Sequence, residues 1–250
     1  MSISLDEAVE LTRTGDVWVF RGRSVPDRAI QFTTNSPVNH VGMAVVLDDM
    51  PPLMWHAELG RSLPDLWSGT HQRGVQLHDL RDAVCVWANR YGQRAWLRQL
   101  DPPADGEMER AVLRTIARLD GTPFPSTAQL AWRWVRGRVP ALPLPNRLSA
   151  LRHPGQPASR SAPANPANRA DSTGQGSPAN PAASAKERDR ALETAYCAEV
   201  VAVTYEAMGL LPAGRRPNWY DPGRFWSGDD LGLAADARLG SEIEVRVPPR

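Results

Sequence analysis

Between His153 and Leu192 the chain has no Val, Ile, Leu, Met or aromatic residue. Pro, Ala, Asn and Ser recur loosely instead, as in Ala164-Asn-Pro-Ala-Asn168 and Ala179-Asn-Pro-Ala182. Such a stretch buries too little apolar surface to offset the entropy of ordering it, so residues 153–190 are expected to form a disordered insert. The apolar residues therefore fall into two groups, 1–150 and 191–250. Both are expected to build one folded domain, because 250 residues at 42% hydrophobic content suffice for a single sizeable core.

A formal net charge of +1 gives no electrostatic reason to expect nucleic acid or an anionic membrane as partner. No apolar run approaches the roughly 20 residues of a membrane span, so no stable membrane insertion is expected. The stretch Ala131-Trp-Arg-Trp-Val-Arg-Gly-Arg138 mixes aromatic and basic residues. It reads as a helix that buries Trp132 and Trp134, with peripheral contact to a membrane surface or an acyl chain as the alternative. The first residues show no basic segment followed by an apolar one, as a signal peptide would. With only Cys85 and Cys197 there is no disulfide framework, which fits a cytoplasmic location.

Local patterns predict an α+β fold. Asp6 to Thr12 reads as a short helix started by Ser4, and Thr14-Gly15-Asp16 as the turn that ends it. Val17–Phe20, Val41–Leu47 and Leu53–Glu58 read as strands, the last two joined by a loop over 48–52. Val84–Ala88 is a fourth candidate strand, and Gly69 to Gly74 reads as loop. Glu107–Leu119 is a helix by the spacing of Ala111, Val112, Thr115, Ile116 and Leu119. Leu192–Leu211 is a second, with Ala198, Val201, Ala202, Tyr205 and Met208 on one face and Gly209 at its end. Ile243–Val247 alternates as a strand.

The candidate chemistry centres on Cys197. Thr194 capping a helix from Ala195 would set this cysteine in the first turn, although the helix could also begin within 186–193. In the first turn the macrodipole favours a thiolate and free N–H groups can face an oxyanion. His40 opens a strand and shares a face with Gly42, Ala44 and Val46, small enough in part for the cysteine helix to approach closely. If Leu47 pairs with Leu53 or with a residue two away, Glu58 lies opposite or diagonal to His40. Its carboxylate could then orient the imidazole; His56 shares that face and is the rival. Cys85 between two valines reads as buried. His71 and His78 match no tight metal motif, and a zinc site from His40, His56 and Cys197 is a weaker alternative.

These residues resemble the circularly permuted papain-like cysteine hydrolases of the NlpC superfamily, in the YiiX/YaeF-like branch. The matching features are Gly15-Asp16 before the strand Val17–Phe20, Asn39-His40-Val41-Gly42, Ala57-Glu58, and Tyr196-Cys197-Ala198-Glu199-Val200-Val201 on a helix ending near Gly209-Leu210. The resemblance implies an antiparallel sheet packed against the cysteine helix, with Cys197 as nucleophile, His40 as base and Glu58 as orienting residue. It also implies hydrolysis of an amide, peptide or (thio)ester bond in a small-molecule, peptide or lipid-acyl substrate, through an acyl-enzyme and without metal or cofactor. An acyltransferase using the same pair, or a non-catalytic binding module of the same fold, are the alternatives.

Overall fold

Ser4 begins the first helix as expected, through a capping box in which its hydroxyl accepts from the Glu7 amide and the Glu7 carboxylate accepts from the Ser4 amide. The computed structural model describes residues 2–22, 37–58, 61–123, 196–215, 219–228, 231–234 and 236–249. The 153–190 insert and the Trp132/Trp134 segment lie outside these residues.

The described chain runs β1 (Ser2–Ser4), α1 (Leu5–Leu11), β2 (Val17–Arg21), β3 (His40–Val45), β4 (Leu53–Glu58) and β5 (Gly74–Asp79). It continues through α2 (Leu80–Tyr91), β6 (Arg94–Arg98), β7 (Leu100–Asp101), α3 (Gly106–Leu119), α4 (Cys197–Ala207), a 3-10 turn at Pro222–Phe225, β8 (Arg238–Leu239) and β9 (Ile243–Arg246). Seven strands form one sheet in the order β1-β9-β6-β2-β3-β4-β5, and β7 pairs with β8 separately. All pairs are antiparallel except β1 with β9, which makes the sheet mixed but mostly antiparallel in an α+β architecture.

Helices cover both faces. Val17, Val19, Val41, Met43, Val45, Trp55, Ala57, Val75 and Leu77 turn toward α4, and α3 packs behind α4 through Val112, Ile116 and Leu119. Trp18, Phe20, Ala44 and Met54 turn the other way, against Leu5 and Ala8 of α1 and Leu80, Ala83, Val84 and Trp87 of α2. The five residues that predicted α3 are the five it buries.

Two expectations change. Val84–Ala88 is helical: Asp79 caps α2 at its start by accepting from the Asp82 amide, and Gly92 closes it in a left-handed conformation. Its buried residues Leu80, Ala83, Val84 and Trp87 follow a helical stripe that the short window Val-Cys-Val-Trp concealed. The strand missed is β5, just after the segment read as loop. Gly74 at its start has φ +131° and lies so close to Thr122 that an added Cβ would stand 2.1 Å from that carbonyl oxygen, leaving room only for glycine. There the chain after α3 adds to the β5 edge, with the Val75 amide donating to the Thr122 carbonyl at 2.7 Å.

The turn before β2 is locked by Asp16, which is fully buried. Its carboxylate accepts the Arg13 amide on one oxygen and the Leu100 amide on the other, each at 2.8 Å. Tyr205 of α4 donates to the Gly15 carbonyl at 2.6 Å, tying the same turn to the opposite layer.

Candidate functional site

Three adjacent strands deliver polar side chains to one sheet face. His40 comes from β3, His56 and Glu58 from β4, and Gln76 and His78 from β5. The β4–β5 register pairs His56 with Gln76 and Met54 with His78, so His56 and His78 meet diagonally. Trp87 of α2 lies over them, its ring 4.9 Å from that of His40 and 4.7 Å from that of His56. His56, His78 and Gln76 are fully buried, and Glu58 nearly so.

These side chains form one chain of hydrogen bonds. His40 Nε2 lies 3.2 Å from His56 Nδ1, His56 Nε2 lies 3.0 Å from His78 Nδ1, and His78 Nε2 lies 3.1 Å from Gln76 Oε1. Gln76 Nε2 donates to the Gln72 carbonyl at 3.2 Å, which fixes Gln76 Oε1 as an acceptor. His78 must then carry its proton on Nε2, and the same logic gives Nε2–H to His56 and His40 in turn. His40 Nδ1 remains an acceptor at the end of the chain. Burial is the main force keeping the rings neutral: it lowers His40 to about 3 and His78 to about 4, and drives His56 well below its usual range.

Glu58 faces the same cluster. Ser62 donates to Oε1 at 2.7 Å, whereas Oε2 makes no hydrogen bond and lies 3.9 Å from His78 Nδ1. Burial raises the Glu58 pKa, opposed by hydrogen bonding from Ser62 and then from the Trp87 indole.

Cys197 belongs to the opposite layer. It is the first residue of α4, preceded by Tyr196 at the cap position with no side-chain capping bond; Thr194 and Ala195 lie outside the described residues. The helix is buried nearly all round and is pinned to β4 by the Trp55 indole donating to Thr204 Oγ1 at 3.1 Å. Burial pushes the Cys197 thiol up to about 12. Backbone N–H groups of Val41, Ala198 and Cys197 act the other way and favour the thiolate, while the Glu199 charge opposes it.

The structure therefore joins His40, His56 and Glu58 on one face, as strand parity predicts, but sets Cys197 apart from them. The Gly42 and Ala44 face receives α2 instead of the cysteine helix, and α4 takes the bulky face of Val41, Met43 and Val45. The reason is steric. A Cβ on Gly42 would stand 2.5 Å from Met54 Sδ and 3.3 Å from His56 Cβ, so the space left by glycine is filled by side chains of the neighbouring strand. The proposed His40–His56–Cys197 zinc set is likewise divided between faces. Cys85, read as a strand residue, is buried in α2.

Sequence reasoning missed His78 and Gln76. The signal was present in Gly74-Val-Gln-Leu-His-Asp79, where Val75 and Leu77 alternate with polar residues at the period of a strand. Reading polar residues as loop hid it.

No family model matches the chain, and no curated protein matches it. Among solved structures, the metalloprotein YiiX of Escherichia coli O157:H7 shares 23% identity at a TM-score of 0.34, covering 46% of this chain and 53% of that one. The chain thus spans about half the length of the structure it matches. Among the described residues no helix is long and apolar enough to cross a membrane.

Proposed function

We propose that the chain is a cysteine-dependent hydrolase of the permuted papain-like, NlpC type, cleaving an amide, peptide or (thio)ester bond through an acyl-enzyme on Cys197. The observation that carries this reading is the surroundings of the thiol. Cys197 is the first residue of a helix, and three backbone N–H groups, one of them on Val41 directly after His40, favour its anion against the larger effect of burial, which pushes the thiol up to about 12. N–H groups that favour a thiolate are also suited to a tetrahedral oxyanion.

In this reading the His40 imidazole takes the thiol proton and Cys197 attacks the carbonyl carbon. The imidazolium then protonates the leaving group, and water releases the acyl group as an acid. An acyl acceptor other than water would make the same site a transferase. The described arrangement is a resting one, with the thiol buried and the His40 ring hydrogen-bonded to His56 on the α2 face. Work on a substrate requires the first residue of β3 to turn its ring toward α4. Glu58 is opposite His40 when the β3–β4 register is extended, and is the acidic partner in this reading.

The separation of Cys197 from His40 favours a second reading, a non-catalytic binding module of the same fold. Iodoacetamide labelling at neutral pH in a Cys85→Ser background distinguishes the two. The hydrolase reading expects Cys197 to react faster than a free thiol and His40→Ala to remove the excess. Labelling no faster than a free thiol and unchanged by His40→Ala sinks that reading and leaves the module.

A further inference from the structure

We propose that His56 Nε2, His78 Nδ1 and Glu58 Oε2 form a binding site for one divalent transition-metal ion, of which Zn2+ is the best matched, between β4 and β5 beneath Trp87. The site uses neither Cys197 nor His40 as a ligand, but it shares Glu58 with the hydrolase reading, so an ion on Glu58 Oε2 competes with that carboxylate's role beside His40.

Three observations carry it. The donor atoms of His56, Glu58 and His78 all lie within 4.8 Å of one another. Zinc bonds of about 2.0–2.1 Å in tetrahedral geometry set ligand atoms about 3.3 Å apart. Two observed separations, 3.0 Å between the two nitrogens and 3.9 Å from His78 Nδ1 to Glu58 Oε2, lie on either side of that spacing, and the third is within 4.8 Å. Seating an ion requires Glu58 Oε2 to close on His78 Nδ1 by about 0.6 Å and the two imidazoles to turn their nitrogens toward a common point.

The second observation is the orphaned carboxylate oxygen. Glu58 is 7% exposed, Ser62 engages only Oε1, and Oε2 is buried with no hydrogen bond while facing the histidine pair. A buried oxygen left in this state costs free energy, and a cation supplies what it lacks. The buried Asp65 carboxylate, whose charge reaches His78, balances a further part of an ion's charge.

The third is the support behind the ligands. A histidine that binds metal through one nitrogen is held by a hydrogen bond at the other. His78 already has this arrangement, with Nε2–H donating to Gln76 Oε1. His56 has His40 Nε2 at its Nδ1. Without metal, His56 Nε2–H donates to His78 Nδ1; with metal, Nε2 gives up that proton and both nitrogens bind the ion, which lies to one side of the line between them. The His56 proton moves to Nδ1 and donates to His40 Nε2, and the His40 proton moves to its own Nδ1. All three imidazoles stay neutral, and any proton on Glu58 leaves to solvent. Two imidazoles and one carboxylate are a donor set suited to Zn2+, with one position open to water.

The test uses the full chain, stripped with a chelator and titrated with Zn2+, then with Co2+ as spectroscopic probe. One ion per chain is expected, together with a four-coordinate Co2+ spectrum lacking a thiolate charge-transfer band. Long-range 15N spectra of the imidazoles need no substitution and hence no concern for folding. They should show the metal at His56 Nε2 and His78 Nδ1 and the His40 proton moved from Nε2 to Nδ1. Glu58→Gln should weaken binding by at least about tenfold, while Cys197→Ser leaves it unchanged. Failure to bind one equivalent, a thiolate band, or His56 and His78 resonances unmoved by Zn2+ each overturn the proposal. None of these outcomes depends on the labelling behaviour of Cys197.

Discussion

Asp16 Oδ1 accepts the Leu100 amide at 2.8 Å, joining the turn before β2 to the start of β7 across 84 residues of chain. The other oxygen takes the Arg13 amide. Replacing Asp16 by Ala leaves two amides without acceptors in a buried site, with an expected loss of about 2–4 kcal/mol. Urea unfolding at pH 5 would measure it; a loss under 1 kcal/mol would show that water replaces the carboxylate.

The same residue makes stability depend on pH. Burial raises Asp16 from 3.8 to about 6 against the opposing pull of the Leu100 and Arg13 amides. Between those values the folded chain holds a proton that the unfolded chain has released, so stability falls as pH rises from about 4 to about 6. The span amounts to about 2–3 kcal/mol. Asp16→Asn cannot titrate, so its stability relative to wild type should improve across that window. A pH-independent difference between the two midpoints would refute this.

Gly42 makes room for its neighbours on β4. Gly42→Ala forces Met54 aside, with an expected cost of about 1–3 kcal/mol. Combined with Met54→Ala, the double substitution should cost less than the sum of the two, by about 0.5 kcal/mol or more. Additive losses would mean that the crowding lies elsewhere.

Thr204 holds α4 on the sheet through one hydroxyl, which accepts from the Trp55 indole and donates to the Val200 carbonyl at 2.7 Å. Thr204→Val keeps the shape and leaves the indole N–H unsatisfied, at about 1–3 kcal/mol. Chemical unfolding of the variant gives the value directly, and an unchanged midpoint would contradict it.

Under the hydrolase reading, His40→Ala should slow Cys197 alkylation on the order of tenfold or more, and Glu58→Gln by less, because Glu58 acts only through the imidazole. Equal slowing by both would give the carboxylate a direct part in activating the thiol.

Strands were legible in the sequence where apolar residues run on or alternate. Leu53–Glu58 matches β4 at both ends, and parity alone placed His40, His56 and Glu58 on a common face. The layer that covers that face was not legible. Small residues at Gly42 and Ala44 say only that something large lies near, and that something proved to be Met54, His56 and α2. Which helix covers which face is decided by chain connections and by the bulk on the other side, where Val41, Met43 and Val45 offer α4 more apolar contact. The histidine cluster escaped because it joins three strands, one of which begins among Gly, Gln and Arg residues that locally favour a loop.

One pairing bears on how such a chain is made. Among the described residues β1 joins the main sheet only through β9, in parallel, with Ser2 beside Glu244. During synthesis β1 must wait for β9, although α1, packed on α2 through Leu5 and Ala8, need not. A chain stalled before β9 therefore leaves one edge of β6 bare and Ile3 without Val245 beside it. Quality-control factors that read exposed strand edges would meet it there.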